Sequence, residues 1–199
     1  MSFVDHADVF IGSTGDAHTF VVLNRPIRGG ERLLTGAGFT ARTINGRNIH
    51  LLPPTTPEEA NERAGIAMYG LLSHTHDLVD LSWTTRHSPQ NPGPEPDLCF
   101  TLTDTALTAT AATSPARSLL EQHGFTPTAG LSYQAPVPLS ERDLLGAVVR
   151  AESHAYAHGL VVHVDLGIPT PDAIPAAPQR ASTAVPGGPA TQPTRRRTH

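Results

Sequence analysis

The sequence predicts an α/β protein, with α+β as the alternative, made of two related units that each run strand–helix–strand–helix–strand. Short apolar segments alternate with amphipathic ones in both halves of the 199-residue chain, in the same order. One string also recurs: residues 33–40, LLTGAGFT, match residues 119–126, LLEQHGFT, at the Leu pair, Gly, Phe and Thr with an offset of 86. A repeated order of elements indicates an internal duplication.

The first unit is predicted to span residues 1–85. It contains a predicted long helix, because Thr56 can cap it, Pro57 suits its first position and Glu59 can complete a capping box. A shorter helix before Phe39 is weakened by several glycines. The strands are predicted at residues 19–23, 48–52 and 78–83, with a hairpin strand at residues 9–11 before them.

The second unit, residues 99–167, follows the same plan. Ser114 is predicted to cap a short helix that ends at Gly124, and Ser140 to cap a long helix with apolar residues on one face. Strands are predicted at residues 99–103, 131–135 and 160–166. In this alignment residues 20–23 correspond to residues 100–103, and His76 corresponds to His158.

Two proline-rich segments separate these units from the rest of the chain. Residues 86–98 hold four prolines and are predicted to form a stiff linker, while residues 168–199 hold few large apolar side chains and are predicted to be a disordered tail. Removal of residues 174–199 is therefore expected to leave stability almost unchanged. Residues 1–167 carry 10 Arg and 17 acidic residues, a net charge of −7, whereas the tail carries +3.

Composition excludes several classes of protein. Cys99 is the only cysteine, so a disulfide scaffold or a multi-thiolate metal site is excluded. No apolar run approaches the ~20 residues of a membrane helix, and the acidic N-terminal residues do not form a secretory signal. We expect a cytoplasmic protein that does not engage membranes and that needs no cofactor.

Three residues at a helix-to-strand turn are candidates for catalysis. His74, His76 and Asp77 combine imidazole and carboxylate groups suited to general-base work or metal-assisted hydrolysis, and Asp80 follows them closely. The alternative is a polar, solvated turn.

Three further histidines are candidates for metal binding. His154 and His158 lie four residues apart and share a helix face, and His163 follows on the next strand. The glutamate of the metalloprotease helix pattern is missing, because Ala155 follows His154. The sequence favours histidines that suit a helix end over a metal site, and tight binding of a transition metal is not expected.

The tail ends in a small basic cluster, Arg195, Arg196 and Arg197. It could contact phosphate in a salt-sensitive manner, although three arginines are fewer than the usual basic run. For the folded part, its acidic charge disfavours nucleic acid as a partner.

The Leu-Leu-x-x-x-Gly-Phe unit, followed by a short strand, a long amphipathic helix and a closing strand, resembles uncharacterised proteins of high-GC actinobacteria. The composition, with arginine but no lysine and with abundant Ala, Pro and Thr, also resembles that of proteins from this group. The resemblance covers residues 19–166 and implies an α/β unit without a known activity.

The sequence favours a non-enzymatic interaction or regulatory module whose partner is another protein or a second copy of the chain. No nucleophile elbow or phosphate-binding loop is present. The first alternative is a small metal-assisted hydrolase that uses a His/Asp cluster. The second is an accessory nucleic-acid binder that acts through the arginine tail.

Overall fold

The computed structural model describes residues 2–86, 94–103, 106–136 and 140–178. In the first unit a hairpin of two strands is followed by a helix, a second hairpin, a long helix and a last strand. These elements are β1 (Val9–Ser13), β2 (Thr19–Leu23), α1 (Gly30–Gly36), β3 (Thr40–Ile44), β4 (Arg47–Leu52), α2 (Pro57–Leu72) and β5 (Leu78–Asp80).

The second unit has the same succession of strands and helices. Its elements are β6 (Leu98–Leu102), β7 (Leu107–Ala111), α3 (Ser114–Gln122), β8 (Thr126–Pro127), β9 (Ser132–Gln134), α4 (Glu141–Ala157) and β10 (Val162–Asp165). Short 3-10 turns at Phe3–Asp5 and Pro171–Ala173 precede and follow the two units. In the described residues, no helix is long and apolar enough to cross a membrane.

Each unit forms a five-stranded mixed sheet, which confirms the predicted α/β class. The strand orders are β3-β4-β2-β1-β5 and β10-β6-β7-β9-β8, which is the same order taken from opposite ends. The first strand of each unit pairs antiparallel with the second and parallel with the last, β1 with β2 and β5, and β6 with β7 and β10. The two units therefore share one topology.

The topology corrects the predicted composition and alignment of the units. Each unit has five strands, where the sequence predicted four in the first unit and three in the second, because the chain folds into hairpins on both sides of the short helix. Since β6 occupies the place of β1, Phe20 of β2 corresponds to Thr108 of β7 and not to Phe100. His76 lies beyond the end of α2, whereas His158 caps the end of α4, so these two histidines are not equivalent either.

The recurring string has the same structure in both units. Phe39 and Phe125 each follow a glycine with positive φ, and each donates a backbone hydrogen bond to the second Leu of the string, at 2.9 and 3.0 Å. Leu34, Leu120 and both Phe side chains are buried. The helix caps at Thr56 and Ser140 are also as predicted, but Glu59 accepts from the Thr55 hydroxyl and does not complete the predicted capping box. The α3 helix is capped by Thr113, one residue before the predicted Ser114.

The two faces of the first sheet belong to different cores. Val9, Ile11 and Val21 pack with α1 and α2 in the smaller core. Phe10 and Phe20, on the opposite face, belong to the larger core, which continues through α3, α4 and the inner face of the second sheet. The second unit therefore covers the face of the first sheet that its own helices leave open.

The corresponding face of the second sheet is polar. Register places Cys99 where the first unit has Phe10, Thr108 where it has Phe20, and Thr110 where it has Val22. The two threonines are exposed and Cys99 is half-buried. A polar outer face ends a stack of repeated units, because it needs no further unit to cover it.

The segment after β10 is ordered over its first part, so the predicted tail begins later than residue 168. Ile168 and Ile174 belong to the larger core, and Ile174 is fully buried. Asn45 donates its amide N–H groups to the carbonyls of Asp172 and Ile174 at 2.9 and 2.8 Å. The rest of the predicted tail, residues 179–199 with the three arginines, lies outside the described residues.

The predicted linker is also partly built into the units. Leu98 begins β6 and is fully buried, and the Asp97 carboxylate accepts the N–H of Val161 at 2.9 Å. Residues 87–93 of this linker lie outside the described part.

His50 on β4 is a buried histidine whose two ring nitrogens have no hydrogen-bond partner among the described residues. Burial lowers its pKa below the usual value of 6.5, against a smaller opposing effect of Glu31. The unfolded chain then binds more protons than the folded one at mildly acidic pH, so stability is lost as the pH falls below about 6.5.

We predict that His50→Leu raises the free energy of unfolding by about 1–3 kcal/mol, the cost of leaving a buried polar group unpaired. The gain should grow between pH 7 and pH 5. Urea unfolding at both pH values measures it, and a gain that is equal at pH 7 and pH 5 would contradict the titration of His50.

Candidate functional site

A cleft of about 390 Å³ lies where the two units meet. Ser13 at the end of β1 and Thr85 after β5 line it from the first unit, and His163 and Asp165 on β10 line it from the second. The segment from Leu166 to Pro169 completes the lining together with Gly15. Pockets of this volume between structural units are common sites for small ligands.

The cleft is held together by hydrogen bonds between the units. Gly15 donates its N–H to the carbonyl of Ile168 at 2.8 Å, and Asp16 donates to the carbonyl of Pro169 at 2.9 Å. Val164 on the edge strand of the second sheet donates to the carbonyl of Thr84 at 2.8 Å. These bonds fix the two walls of the cleft relative to each other.

Buried hydroxyl groups form the floor on the side of the first unit. The Thr85 hydroxyl donates to the carbonyl of Leu81 at 2.6 Å and accepts the N–H of Ser13 at 2.7 Å. The Ser13 hydroxyl donates to the carbonyl of Ser82 at 3.1 Å. The Ser82 hydroxyl in turn donates to the carboxylate of Asp80 at 2.6 Å. This chain of bonds links the cleft to a carboxylate at the end of β5.

Arg86 lies on the far side of the same polar network. Its guanidinium donates to the Pro57 carbonyl and the Thr19 hydroxyl, both at 3.0 Å, and to the side chain of Asn61. Burial lowers the pKa of Arg86 and the charge of Asp80 opposes that effect. Arg86 thus joins β2 and the start of α2 to the turn that carries Ser82 and Thr85.

Two carboxyl groups from different units, Asp80 and Glu152, interact near Ser82 and Thr84. Burial raises the pKa of Asp80, although its hydrogen bonds from Ser82 and the charge of Arg86 offset part of the rise. Burial also raises the pKa of Glu152 on α4 to about 7, with a smaller contribution from the charge of Asp80. A buried carboxyl with such a pKa exchanges protons near neutral pH.

We predict that Glu152→Gln stabilises the protein in a pH-dependent manner. The folded-state pKa lies above the unfolded value near 4.5, so the wild-type protein loses stability as the pH rises from about 4.5 through about 7. At pH 8 the variant should be more stable by about 2–3 kcal/mol, since each pKa unit corresponds to 1.36 kcal/mol.

Thermal or urea unfolding at pH 5 and pH 8 measures this difference. The exposed Glu62 of α2 provides a matched control, because Glu62→Gln makes the same change of charge at the surface. An equal effect of the two substitutions at pH 8 would show that Glu152 is solvated in the folded protein.

Cys99 lies beside the cleft on the polar face of the second sheet. Cys99 on β6 is paired in register with His163 on β10, and Asp165 lies two residues after His163 on β10. The three residue types resemble a nucleophilic triad. However, burial raises the pKa of the Cys99 thiol and the charge of Asp165 raises it further. A protonated thiol is a poor nucleophile, so the arrangement does not favour covalent catalysis.

The catalytic candidates of the first unit lie on the surface away from this cleft's lining. His74 and His76 are exposed. Asp77 forms an ion pair with Arg142 at 3.3 Å, and the nearby Thr75 hydroxyl donates to Asp8 at 2.6 Å. This arrangement is a polar turn that attaches α4 to the first unit.

Two of the three candidates for metal binding, His154 and His158, are adjacent. His123, which the sequence did not indicate, lies next to His154. Nε2 of His158 lies 3.1 Å from Nε2 of His154, and Nδ1 of His154 lies 3.2 Å from Nε2 of His123. His154 thus uses a different nitrogen toward each neighbour. His163 instead lines the cleft. In the part of the chain that is described, no group of three or more His, Cys, Asp or Glu residues could hold a metal ion.

The sequence lacked a signal for most of the cleft. Ser13 lies two residues beyond the predicted hairpin strand of residues 9–11, and Asp80 is marked in the sequence only by its closeness to His76. Glu152 lies on a helix face that otherwise carries alanine and valine. A lone carboxylate on the apolar face of a predicted helix is the one sequence signal that could have identified this junction.

Comparisons of this chain with models of protein families, with curated proteins and with solved structures found no match.

Proposed function

We propose that the protein is a non-enzymatic interaction module that binds a polar ligand group in the cleft between its two units. The observation that carries this proposal is the cleft itself, because both units contribute its walls and interunit hydrogen bonds hold them in place. A site with preformed walls binds a ligand without a large ordering cost.

The chemistry around the cleft supports binding rather than catalysis. The Ser13 and Thr85 hydroxyls already donate to backbone carbonyls, so neither is poised against a base. The Cys99 thiol has a raised pKa. The hydrolase alternative relied on His74 and His76, which lie exposed on a solvated turn.

The same topology in both units supports an origin by duplication, in which the open sheet face of one copy became polar. In this proposal the duplication created the cleft, since a single unit would provide only one wall. The ligand group belongs to a protein partner or to a free metabolite. We place this binding function in the cytoplasm, where a single unpaired cysteine is stable.

A ligand screen that is read out by amide chemical shifts tests the proposal. Full-length protein labelled with ¹⁵N is titrated with cationic, neutral and anionic small molecules. We expect at least one class to shift the amides of Gly15, Thr85 and Gly167 while Gly65 on the surface of α2 stays unchanged. If no class shifts the cleft amides at millimolar concentrations, the proposal is wrong.

A further inference from the structure

We infer that the cleft selects a ligand that carries an ammonium or guanidinium group. This inference rests on the proposed function and names the chemistry of the ligand. It follows from three properties of the lining: the charged groups that are present, the backbone donors that are already used, and the field of the surrounding acidic residues.

Asp165 is the carboxylate of the lining, and its side chain is exposed. One oxygen, Oδ1, accepts the N–H of Gly167 at 2.8 Å, which holds the carboxylate in place at the wall. His163 is the other titratable residue of the lining, and within the described residues no arginine lines the cleft or forms an ion pair with Asp165. A carboxylate that is oriented and has no arginine partner attracts a cation.

Three backbone donors of the lining that could bind an anion are already engaged. The N–H of Ser13 donates to Thr85, that of Gly15 donates to Ile168, and that of Gly167 donates to Asp165. A loop binds phosphate or carboxylate through N–H groups that have no partner within the protein. The three N–H groups named here donate to other atoms of the protein instead. The carbonyl and carboxylate oxygens of the lining retain lone pairs, so the cleft offers acceptors to a ligand that donates.

The groups behind the cleft strengthen this preference. Asp80 is joined to the hydroxyl floor through Ser82, whose carbonyl accepts from the Ser13 hydroxyl, and Asp16 follows Gly15 in the sequence. Arg86 does not line the cleft, and it is held by Asn61 and Thr19 and by the charge of Asp80. Residues 1–167 as a whole carry a net charge of −7, which raises the local concentration of cations.

Two sources supply the same chemistry. One is a small amine or guanidine compound, and the other is a lysine or arginine side chain that a protein partner inserts into the cleft. Both present several N–H donors on a cationic head and an aliphatic stem, which suits the mixture of Asp165 with Leu166, Ile168 and Pro169 in the lining.

The test is a titration of full-length protein with agmatine, which carries both cationic groups, in parallel with glucose and citrate. A short lysine- and arginine-containing peptide forms a separate arm that distinguishes a protein source from a small compound. We expect agmatine or the peptide to shift the Gly15, Thr85 and Gly167 amides, and salt to weaken that binding. Asp165→Asn should weaken it at least tenfold, whereas the surface control Glu62→Gln should change it less than twofold.

The outcomes separate the two proposals. If glucose or citrate shifts the cleft amides and the cations do not, the inferred ligand class is wrong and the binding function stands. If agmatine binds equally well to wild type and Asp165→Asn, the inference is also wrong, because the carboxylate does not select the ligand. If no probe shifts the cleft amides, both proposals fail.

Discussion

Replacing Arg47 by methionine is expected to lower the free energy of unfolding by about 3–5 kcal/mol, the range for breaking one partner out of a buried ion pair. Arg47 and Asp5 are both almost fully buried and pair with each other. The guanidinium also donates to the side chain of Asn24 at 3.1 Å. Methionine fills much of the volume of Arg47 but leaves the Asp5 carboxylate without its counter-charge. Urea unfolding of wild type and variant measures the loss.

Two further variants decide whether burial of the pair is the cause. Arg25 pairs with Asp8 at 2.7 Å but is half-exposed, so Arg25→Met should cost no more than about 1 kcal/mol. The double variant Arg47→Met/Asp5→Leu removes both charges and should recover a large part of the loss. Equal losses in Arg47→Met and Arg25→Met would contradict this account.

Local signals in the sequence predicted the helices well. Thr56-Pro57 and Ser140 mark the starts of α2 and α4, because capping hydroxyls and proline act within a few residues and leave the same pattern in any fold. The recurring Gly-Phe motif was also interpretable, since Gly38 and Gly124 adopt positive φ at the ends of the short helices.

Strand assignments were incomplete because a strand that is exposed on both faces has little apolar pattern. The residues of β3, Thr40–Ile44, are nearly all exposed, and β8 is only two residues long. These strands form because they pair with β4 and β9 in hairpins. The local signal for the first hairpin is the Asn45-Gly46 turn with positive φ, which apolar patterning does not show. The misalignment of Phe20 with Phe100 has the same origin, as apolar residues alone do not show which strand of a hairpin is central.

The candidate site could not be predicted because it forms between distant segments. Ser13, Thr85 and Asp165 are far apart along the chain, and they meet only because the edge strand β10 packs against the turn after β5. The candidates chosen from sequence, such as His74 and His154, were local clusters. A cluster along the chain satisfies a motif, but a cleft requires the packing of whole units.

The order of the segment from Ile168 to Pro178 could not be predicted from the sequence either. The contacts of this segment lead to the second large effect on stability. Its composition predicted disorder, because single apolar residues among prolines do not indicate a core position. Yet Ile174 is fully buried, and the carbonyls of Pro175 and Ala176 accept from the Arg47 guanidinium at 3.1 and 3.0 Å. Arg47 therefore joins this segment to Asp5 at the other end of the chain.

A chain that ends at Ala173 is expected to be less stable than full-length protein by about 4 kcal/mol or more. Loss of a fully buried isoleucine side chain costs about 2–5 kcal/mol, and the carbonyl acceptors that Arg47 and Asn45 lose add to it. Since 1 kcal/mol corresponds to roughly 2–4 °C for a protein of this size, the melting temperature should fall by about 8 °C or more.

The matched comparison is a chain that ends at Pro178, which keeps every contact described for the segment. If the two shortened chains melt together, Ile174 and the Arg47 acceptors contribute no stability, and the composition-based expectation of an inert tail from residue 174 would hold. Ile174→Ala in the full-length chain separates the two causes, because it removes the buried side chain and leaves the carbonyls of Pro175 and Ala176 in place. We expect it to account for more than half of the loss, since burial of a large aliphatic group outweighs hydrogen bonds that water can replace.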